Sequence, residues 1–134
     1  MNHDQRQHQN GIVKLRELLD EFRVPLFNPE LHITQEDREE KLRLYDLLEL
    51  RIPEHPGQHP VVPIIPIPTV MNLLTTIIDT LDHVARRGLR LEEEQMYHEA
   101  ETFYDCSHVL FSIKTKVMGE LTNNNDTDTD NDNA

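Results

Sequence analysis

The chain has 134 residues, with 13 basic and 25 acidic side chains and a formal net charge of -12 at pH 7. This length fits a single domain, and an acidic chain without a basic cluster repels phosphate backbones, which argues against direct nucleic-acid binding. The mean hydropathy of -0.62 and the lack of an unbroken apolar run of about 20 residues argue against a membrane span.

Apolar residues at helical spacing predict the first two helices. From Ile12 they recur every three or four positions until Pro25, which ends the helix because proline disfavours helical geometry in the residue before it. Residues 1–10 show no periodicity, which predicts a flexible N-terminus. A second helix is predicted over 35–51, after the N-cap residue Thr34, and its leucine-rich arc is wide enough for more than one neighbour.

Residues 53–68 cannot form regular structure, because six of these sixteen residues are proline. Their second half, VVPIIPIP, is apolar, and each Val or Ile left in water forgoes roughly 1.5 kcal/mol or more of stabilisation by burial. We therefore predict that residues 61–67 form an extended strap that packs across the helices. The alternative is that they form an exposed apolar patch for a partner.

The second half of the chain predicts two longer helices. The third runs from Thr69 to a stop at Gly88, which follows two arginines. The fourth covers about 91–120 and would span roughly 45 Å, so part of it is expected to project or to meet a partner. The core-facing residues predicted for the third helix are Val70, Leu73, Leu74, Ile77, Ile78, Leu81 and Val84.

The last residues, 122–134, have low complexity and no large apolar side chain, which predicts a disordered acidic tail. The predicted fold is therefore all-α: about four helices in an irregular bundle over residues 11–121. The proline-rich strap lies between the second and third helices, and both termini are disordered.

Histidine and cysteine residues suggest a possible metal site. The best grouping is His98, Cys106 and His108, with Asp105 or His83 as further candidates. On one helix, however, His98 and Cys106 lie about two turns, or 12 Å, apart, which is too far to share one ion. We therefore expect neither a metal nor another cofactor.

The sequence also lacks a pattern typical of catalysis. Cys106 falls on the apolar face of the fourth helix beside Asp105, whose charge would raise the pKa of the thiol rather than activate it. The acidic run 92–94 is typical of a solvated first turn of a helix, and no glycine-rich phosphate loop is present. We expect a non-enzymatic protein that binds no small molecule, and the single cysteine favours an intracellular, reducing compartment.

The segments VKLRELLDEFRVPLFNPEL and FYDCSHVLFSIKTKVM, the proline-broken middle and the Asn/Asp-rich end together resemble the small helical structural proteins of large insect DNA viruses. In particular, the chain resembles the family of twelve-kilodalton baculovirus nucleocapsid proteins, over residues 12–118. The resemblance implies a non-enzymatic part of the nucleocapsid, present in the virion and the host nucleus. Such a protein would bind other capsid-associated proteins and take part in moving host actin into the nucleus.

We therefore expect an interaction subunit of a larger assembly that completes its core against protein partners. The alternative is a small acidic adaptor or regulatory protein that is stable alone and binds a partner through the proline-rich segment or the fourth helix. The residues predicted to bind a partner are Ile64, Ile65, Ile67, Tyr104, Leu110, Phe111 and Ile113.

Overall fold

The computed structural model describes the backbone of residues 2–133 and the side chains of residues 2–122. Within these residues the fold is all-α, as predicted, and contains no strand. Its four α-helices are α1 (His3–Arg23), α2 (Gln35–Glu49), α3 (Ile67–Glu93) and α4 (Tyr97–Asn133). Apart from Thr122, the predicted disordered tail lies outside the residues whose side chains are described. No described helix is both long and apolar enough to cross a membrane.

Helix α1 begins at His3, so the prediction that residues 1–10 form a flexible N-terminus is wrong for 3–10. The side chain of Asn2 accepts a hydrogen bond from the Gln5 main-chain N–H at 2.8 Å, and the Gln5 side chain accepts one from the Asn2 N–H at 3.2 Å. This capping box satisfies two free N–H groups at the helix start. Because these turns are polar, apolar periodicity could not reveal them.

Helix α1 crosses α4 at Gly11, where the two backbones come unusually close. A Cβ atom at Gly11 would collide with the main-chain oxygen of Asp105 and lie 2.9 Å from Val109 Cγ2. Only a residue without a side chain fits between the helices at this point. The side chain of Gln7 donates a hydrogen bond to Glu101 at 3.1 Å, which also holds the first turns of α1 against α4.

Helices α3 and α4 form an antiparallel hairpin whose turn lies later than predicted. Gly88 does not end α3 but lies buried inside it. A Cβ atom there would lie 2.9 Å from the Tyr104 ring, so the close contact with α4 favours a residue without a side chain. The helix continues to Glu93, so the predicted start of the fourth helix at residue 91 is also wrong. The chain turns at 94–96, where Gln95 adopts a left-handed conformation with φ of 64°.

The core lies where α4 packs against α3 on one side and α1 on the other, while α2 packs along α1 and α3. Thr34 caps α2 as predicted, since its hydroxyl accepts a hydrogen bond from the Asp37 N–H at 3.0 Å. The most deeply buried large side chains are Ile12, Leu15, Leu18, Leu19, Leu48, Leu73, Ile77 and Leu110.

Candidate interaction surface

Helix α3 carries two apolar stripes, one buried in the core and the other only partly buried against it. The core stripe contains Val70, Leu73, Ile77 and Val84. The second stripe repeats at alternating intervals of four and three residues and contains Ile67, Met71, Leu74, Ile78, Leu81 and Ala85. This heptad spacing is typical of a helix that packs along another helix in a bundle or coiled coil. Leu74 and Leu81 pack against the core, as predicted. Met71 is 58% and Ile78 50% exposed, so the prediction that Ile78 faces the core is wrong.

Helix α4 has a matching second stripe. It repeats at intervals of three and four residues and contains Tyr104, Ser107, Phe111, Lys114, Met118 and Leu121. Phe111 is 58% and Met118 50% exposed. The ammonium group of Lys114 lies 4.9 Å from the centroid of the Phe111 ring, so it partly covers this exposed aromatic side chain. The α4 stripe is therefore apolar with one cation in its centre.

The two stripes run at the same levels along the antiparallel hairpin. Gly88 contacts Tyr104, so the antiparallel helices are level at that pair. Ile78 lies ten residues before Gly88 and Lys114 ten residues after Tyr104, which places these two side chains at one level. By the same count Leu81 is level with Phe111.

We call this surface the hairpin face; it consists of Met71, Leu74, Ile78, Leu81, Phe111 and Met118. Helix α1 contacts α4 on a different side, through Asp105 and Val109. Met71, Ile78, Phe111 and Met118 stay about half exposed, whereas Leu74 and Leu81 are partly buried against the core. Several large side chains that are about half exposed leave an apolar patch on the order of 500 Å², which is at the upper end for a monomer and is often functional in such proteins.

The seven residues predicted to bind a partner do not form one surface. Phe111 lies on the hairpin face, and Tyr104 lies at its edge, where the phenol donates a hydrogen bond to Glu92 at 2.6 Å. Leu110 and Ile113 are buried in the chain's own core, so the prediction that they present a binding surface is wrong. The reason is geometric, because adjacent residues of a helix point about 100° apart. Met71, Ile78 and Met118 were missed as surface residues.

The strap predicted at residues 61–67 is not helical before Ile67 and alternates between exposed and half-buried side chains, so the prediction that it packs across the helices is wrong for Val61 and Ile64. Val61 is 99% and Ile64 92% exposed, whereas Ile65 packs against the core. Val62 lines a small cavity of about 50 Å³ between the strap and α4. Ile67 belongs to α3, so that helix begins two residues before the predicted Thr69. Proline is tolerated in the first turn of a helix, which explains this earlier start.

A buried ion pair lies beneath the strap and had no signal in the sequence. The guanidinium of Arg51 donates two hydrogen bonds to the Glu120 carboxylate, at 2.7 and 3.0 Å, and a third to the Leu47 carbonyl at 2.8 Å. Arg51 is only 6% exposed. The paired geometry ties the end of α2 to α4. The two residues lie 69 positions apart, so spacing could not reveal the contact.

A second polar cluster lies between the first turns of α1 and α4, around a cavity of about 180 Å³ lined by Asp4, His8, Asp105 and His108. Asp105 is buried, and burial raises the pKa of its carboxyl group; the charge of Glu101 adds to this effect, while His108 and His3 oppose it. Among the residues with described side chains, no group of three histidine, cysteine or acidic residues is arranged to hold a metal ion.

Cys106 is fully buried in the core, away from the two histidines with which it was grouped in the sequence, since His98 and His108 are both exposed. Burial raises the pKa of its thiol to about 12, Asp105 adds to the shift and Lys14 opposes it. A thiol with this pKa stays protonated at neutral pH and is a poor nucleophile.

The largest described cleft with an aromatic lining lies between α2 and α3 and has a volume of about 330 Å³. Its floor contains Phe22, whose ring meets that of His83 edge to face at 4.8 Å, and Tyr45. Burial raises the pKa of Tyr45, and the charge of Asp79 adds to the shift. The cleft is open, and its volume is at the small end of those that hold a ligand.

No family model, no curated protein and no solved structure matches this chain. The resemblance to baculovirus nucleocapsid proteins therefore stays a prediction.

Proposed function

We propose that the protein is a non-enzymatic interaction subunit of a larger assembly and that the hairpin face is the surface by which it binds other proteins. The observation that carries this proposal is the second heptad stripe on both helices of the hairpin. Leu74 and Leu81 also pack against the chain's own core, but four large apolar residues of the stripes stand half exposed in a protein with a net charge of -12: Met71, Ile78, Phe111 and Met118. A surface of this kind gains stability when a partner covers it.

The side chains available for chemistry support a binding role over a catalytic one. The Cys106 thiol is buried and protonated, and the Asp105 carboxyl has no hydrogen-bond donor among the described side chains that would stabilise its charge. The cleft beside Tyr45 is open to solvent. Asp105 shares its cavity with His8 and His108, but no described hydrogen bond joins it to either histidine. A general acid or a nucleophile needs such a positioned partner.

A viral nucleocapsid is the assembly to which the sequence resemblance points, with capsid-associated proteins as partners and a part in recruiting host actin to the nucleus. This finer assignment is proposed on the resemblance alone. The hairpin face fits a structural subunit, because an obligate interface is apolar and resembles a core cut in half.

A second candidate is a small adaptor that binds its partner through the strap. The observation in its favour is the nearly complete exposure of Val61 and Ile64, at 99% and 92%. These two side chains contribute little to folding. Val62, which lies between them in the chain, is half buried at the cavity toward α4, so the two side chains offer a smaller apolar surface than the hairpin face.

Affinity purification from the native source distinguishes the two candidates. We compare the wild-type chain with Phe111→Asp on the hairpin face, Ile64→Asp on the strap and Leu50→Asp as a control, since Leu50 is a similarly exposed apolar residue on neither surface. We expect Phe111→Asp alone to lose the co-purifying proteins, because it places an unpaired charge in an apolar interface. Loss with Ile64→Asp alone would support the adaptor. An unchanged set of proteins in all three variants would refute both.

A further inference from the structure

We propose that the occupant of the hairpin face is a second copy of the same chain, and that two hairpins form an antiparallel four-helix bundle. This inference rests on the proposed function, since it names the partner of the same surface.

The pattern of the two stripes favours a helical hairpin as the occupant. A single partner helix would fill the groove between α3 and α4 but would leave the outer residues of each stripe in water. Met71 and Met118 are such outer residues, at 58% and 50% exposure. Two facing helices cover both stripes, and the heptad spacing on each helix is the spacing required for knobs-into-holes packing in a bundle. The chain itself supplies such a hairpin.

The distribution of charge also favours a second copy. The chain carries 25 acidic residues, yet the two stripes that border the hairpin face contain none, and their one charged side chain is the cation Lys114. Two copies can therefore meet on this face without bringing acidic side chains together, although the remaining surfaces repel one another. Such repulsion is screened by salt, so this dimer should be strengthened by salt, whereas pairing with a basic partner should be weakened.

The register of the hairpin places opposite charges across the two-fold axis. If that axis runs parallel to the helices, α4 of one copy faces α3 of the other at the same level and in the opposite direction. Lys114 of one copy is then level with Ile78 of the second copy and one turn from its Asp82. Among the residues with described side chains, Asp82 pairs with Arg86, at 2.9 Å on an exposed side of α3. Its carboxylate is therefore free to accept from Lys114 as well.

The area is consistent with a dimer. A stable interface buries about 800 Å² on each partner. The apolar patch, on the order of 500 Å², forms the centre of such an interface, and the polar side chains of both helices supply the rim.

Sedimentation equilibrium of the purified full chain tests the proposal. We expect a reversible monomer–dimer equilibrium that shifts toward the dimer with added salt. Phe111→Asp should raise the dissociation constant by roughly thirtyfold or more, as expected for a residue at the centre of an interface. The control Leu50→Asp should leave it unchanged. A monomeric wild-type chain at the highest soluble concentration would overturn the proposal.

A charge exchange tests the register independently of folding. Lys114→Glu should weaken the dimer because it then faces Asp82 of the second copy, and Asp82→Lys added to it should restore the dimer. Far-ultraviolet circular dichroism checks that each variant stays folded. Weakening without restoration would overturn the arrangement. If the wild-type chain is monomeric but Phe111→Asp still loses co-purifying proteins, this inference fails while the proposed function stands; if neither effect occurs, both fail.

Discussion

The close crossing of α1 and α4 predicts opposite effects for alanine at two glycines. In an ordinary helix interior, alanine is more favourable than glycine by roughly 1 kcal/mol. Gly119 of α4 provides that reference, since a Cβ atom there would meet nothing within 4 Å. Gly119→Ala should therefore stabilise the protein by roughly 1 kcal/mol.

Gly11→Ala should instead destabilise the protein. The added Cβ overlaps the main-chain oxygen of Asp105, and main-chain atoms cannot rotate away as the end of a side chain can. The helices must separate, which loosens the packing around Ile12. Overpacking of a core costs about 1–3 kcal/mol, and a collision with backbone belongs at the upper end. After subtraction of the helix-propensity gain, we expect a net loss of about 2 kcal/mol.

Urea denaturation followed by circular dichroism measures both variants against the wild-type chain. The free energy of unfolding should fall for Gly11→Ala and rise for Gly119→Ala, with similar denaturant slopes. If Gly11→Ala is as stable as Gly119→Ala, the backbones of α1 and α4 do not approach each other at Gly11. That result would contradict the described packing of α1 against α4.

Three further changes test other parts of the structure. Glu120→Gln should lower the free energy of unfolding by about 2 kcal/mol, less than the roughly 3–5 kcal/mol of a fully buried pair. The loss is smaller because the Glu120 side chain is 23% exposed and a glutamine there can still accept a hydrogen bond from the buried Arg51 guanidinium. Ile65→Ser should cost about 1 kcal/mol because Ile65 is half buried, whereas Ile64→Ser should cost nothing measurable. Asp105→Asn should raise the melting temperature at neutral pH, because burial raises the pKa of this carboxyl group and makes its charged form unfavourable.

Each of these substitutions is compared with a control. Glu40→Gln removes an exposed partner of Arg43 and should have little effect, so equal losses for Glu40→Gln and Glu120→Gln would contradict the buried pair. Equal effects of Ser at the two strap positions would mean that the strap does not pack through Ile65.

For Asp105 the direction in which stability changes with pH follows from the raised pKa of its carboxyl group. The folded state binds the proton more tightly than the unfolded state, so this group adds stability as the pH falls through its folded pKa. The advantage of Asp105→Asn should therefore shrink on acidification. Thermal melts of both proteins across the acidic range measure this difference, and a constant difference would contradict a buried, perturbed carboxyl group.

Local sequence features predicted the number of helices, the cap at Thr34 and the non-helical strap. These features depend on neighbouring residues: apolar spacing, a capping side chain and prolines that exclude helix. The start of α1 at His3 was missed because its first turns are polar and are held by a capping box and by α4. Gly88 was taken as a stop because glycine after arginine often ends a helix, but here the Tyr104 ring requires the absence of a side chain.

The candidate surface was predictable only in part. The apolar residues of α3 were visible in the sequence, but both stripes are apolar, and spacing alone does not indicate which one meets the rest of the chain. Ile78 was therefore assigned to the core and Leu110 to the surface, the reverse of their positions. The contact between Arg51 and Glu120 depends on tertiary packing across most of the chain, so no local pattern could indicate it.

Site-specific photocrosslinking in the native source tests most directly whether the hairpin face is the interaction surface. A photoreactive amino acid replaces Ile78 or Phe111 on the face, and Leu50 serves as the exposed apolar control. We predict covalent adducts of higher mass from positions 78 and 111 and none from position 50. Adducts from position 50 alone, or from no position, would contradict an interaction surface on the hairpin face.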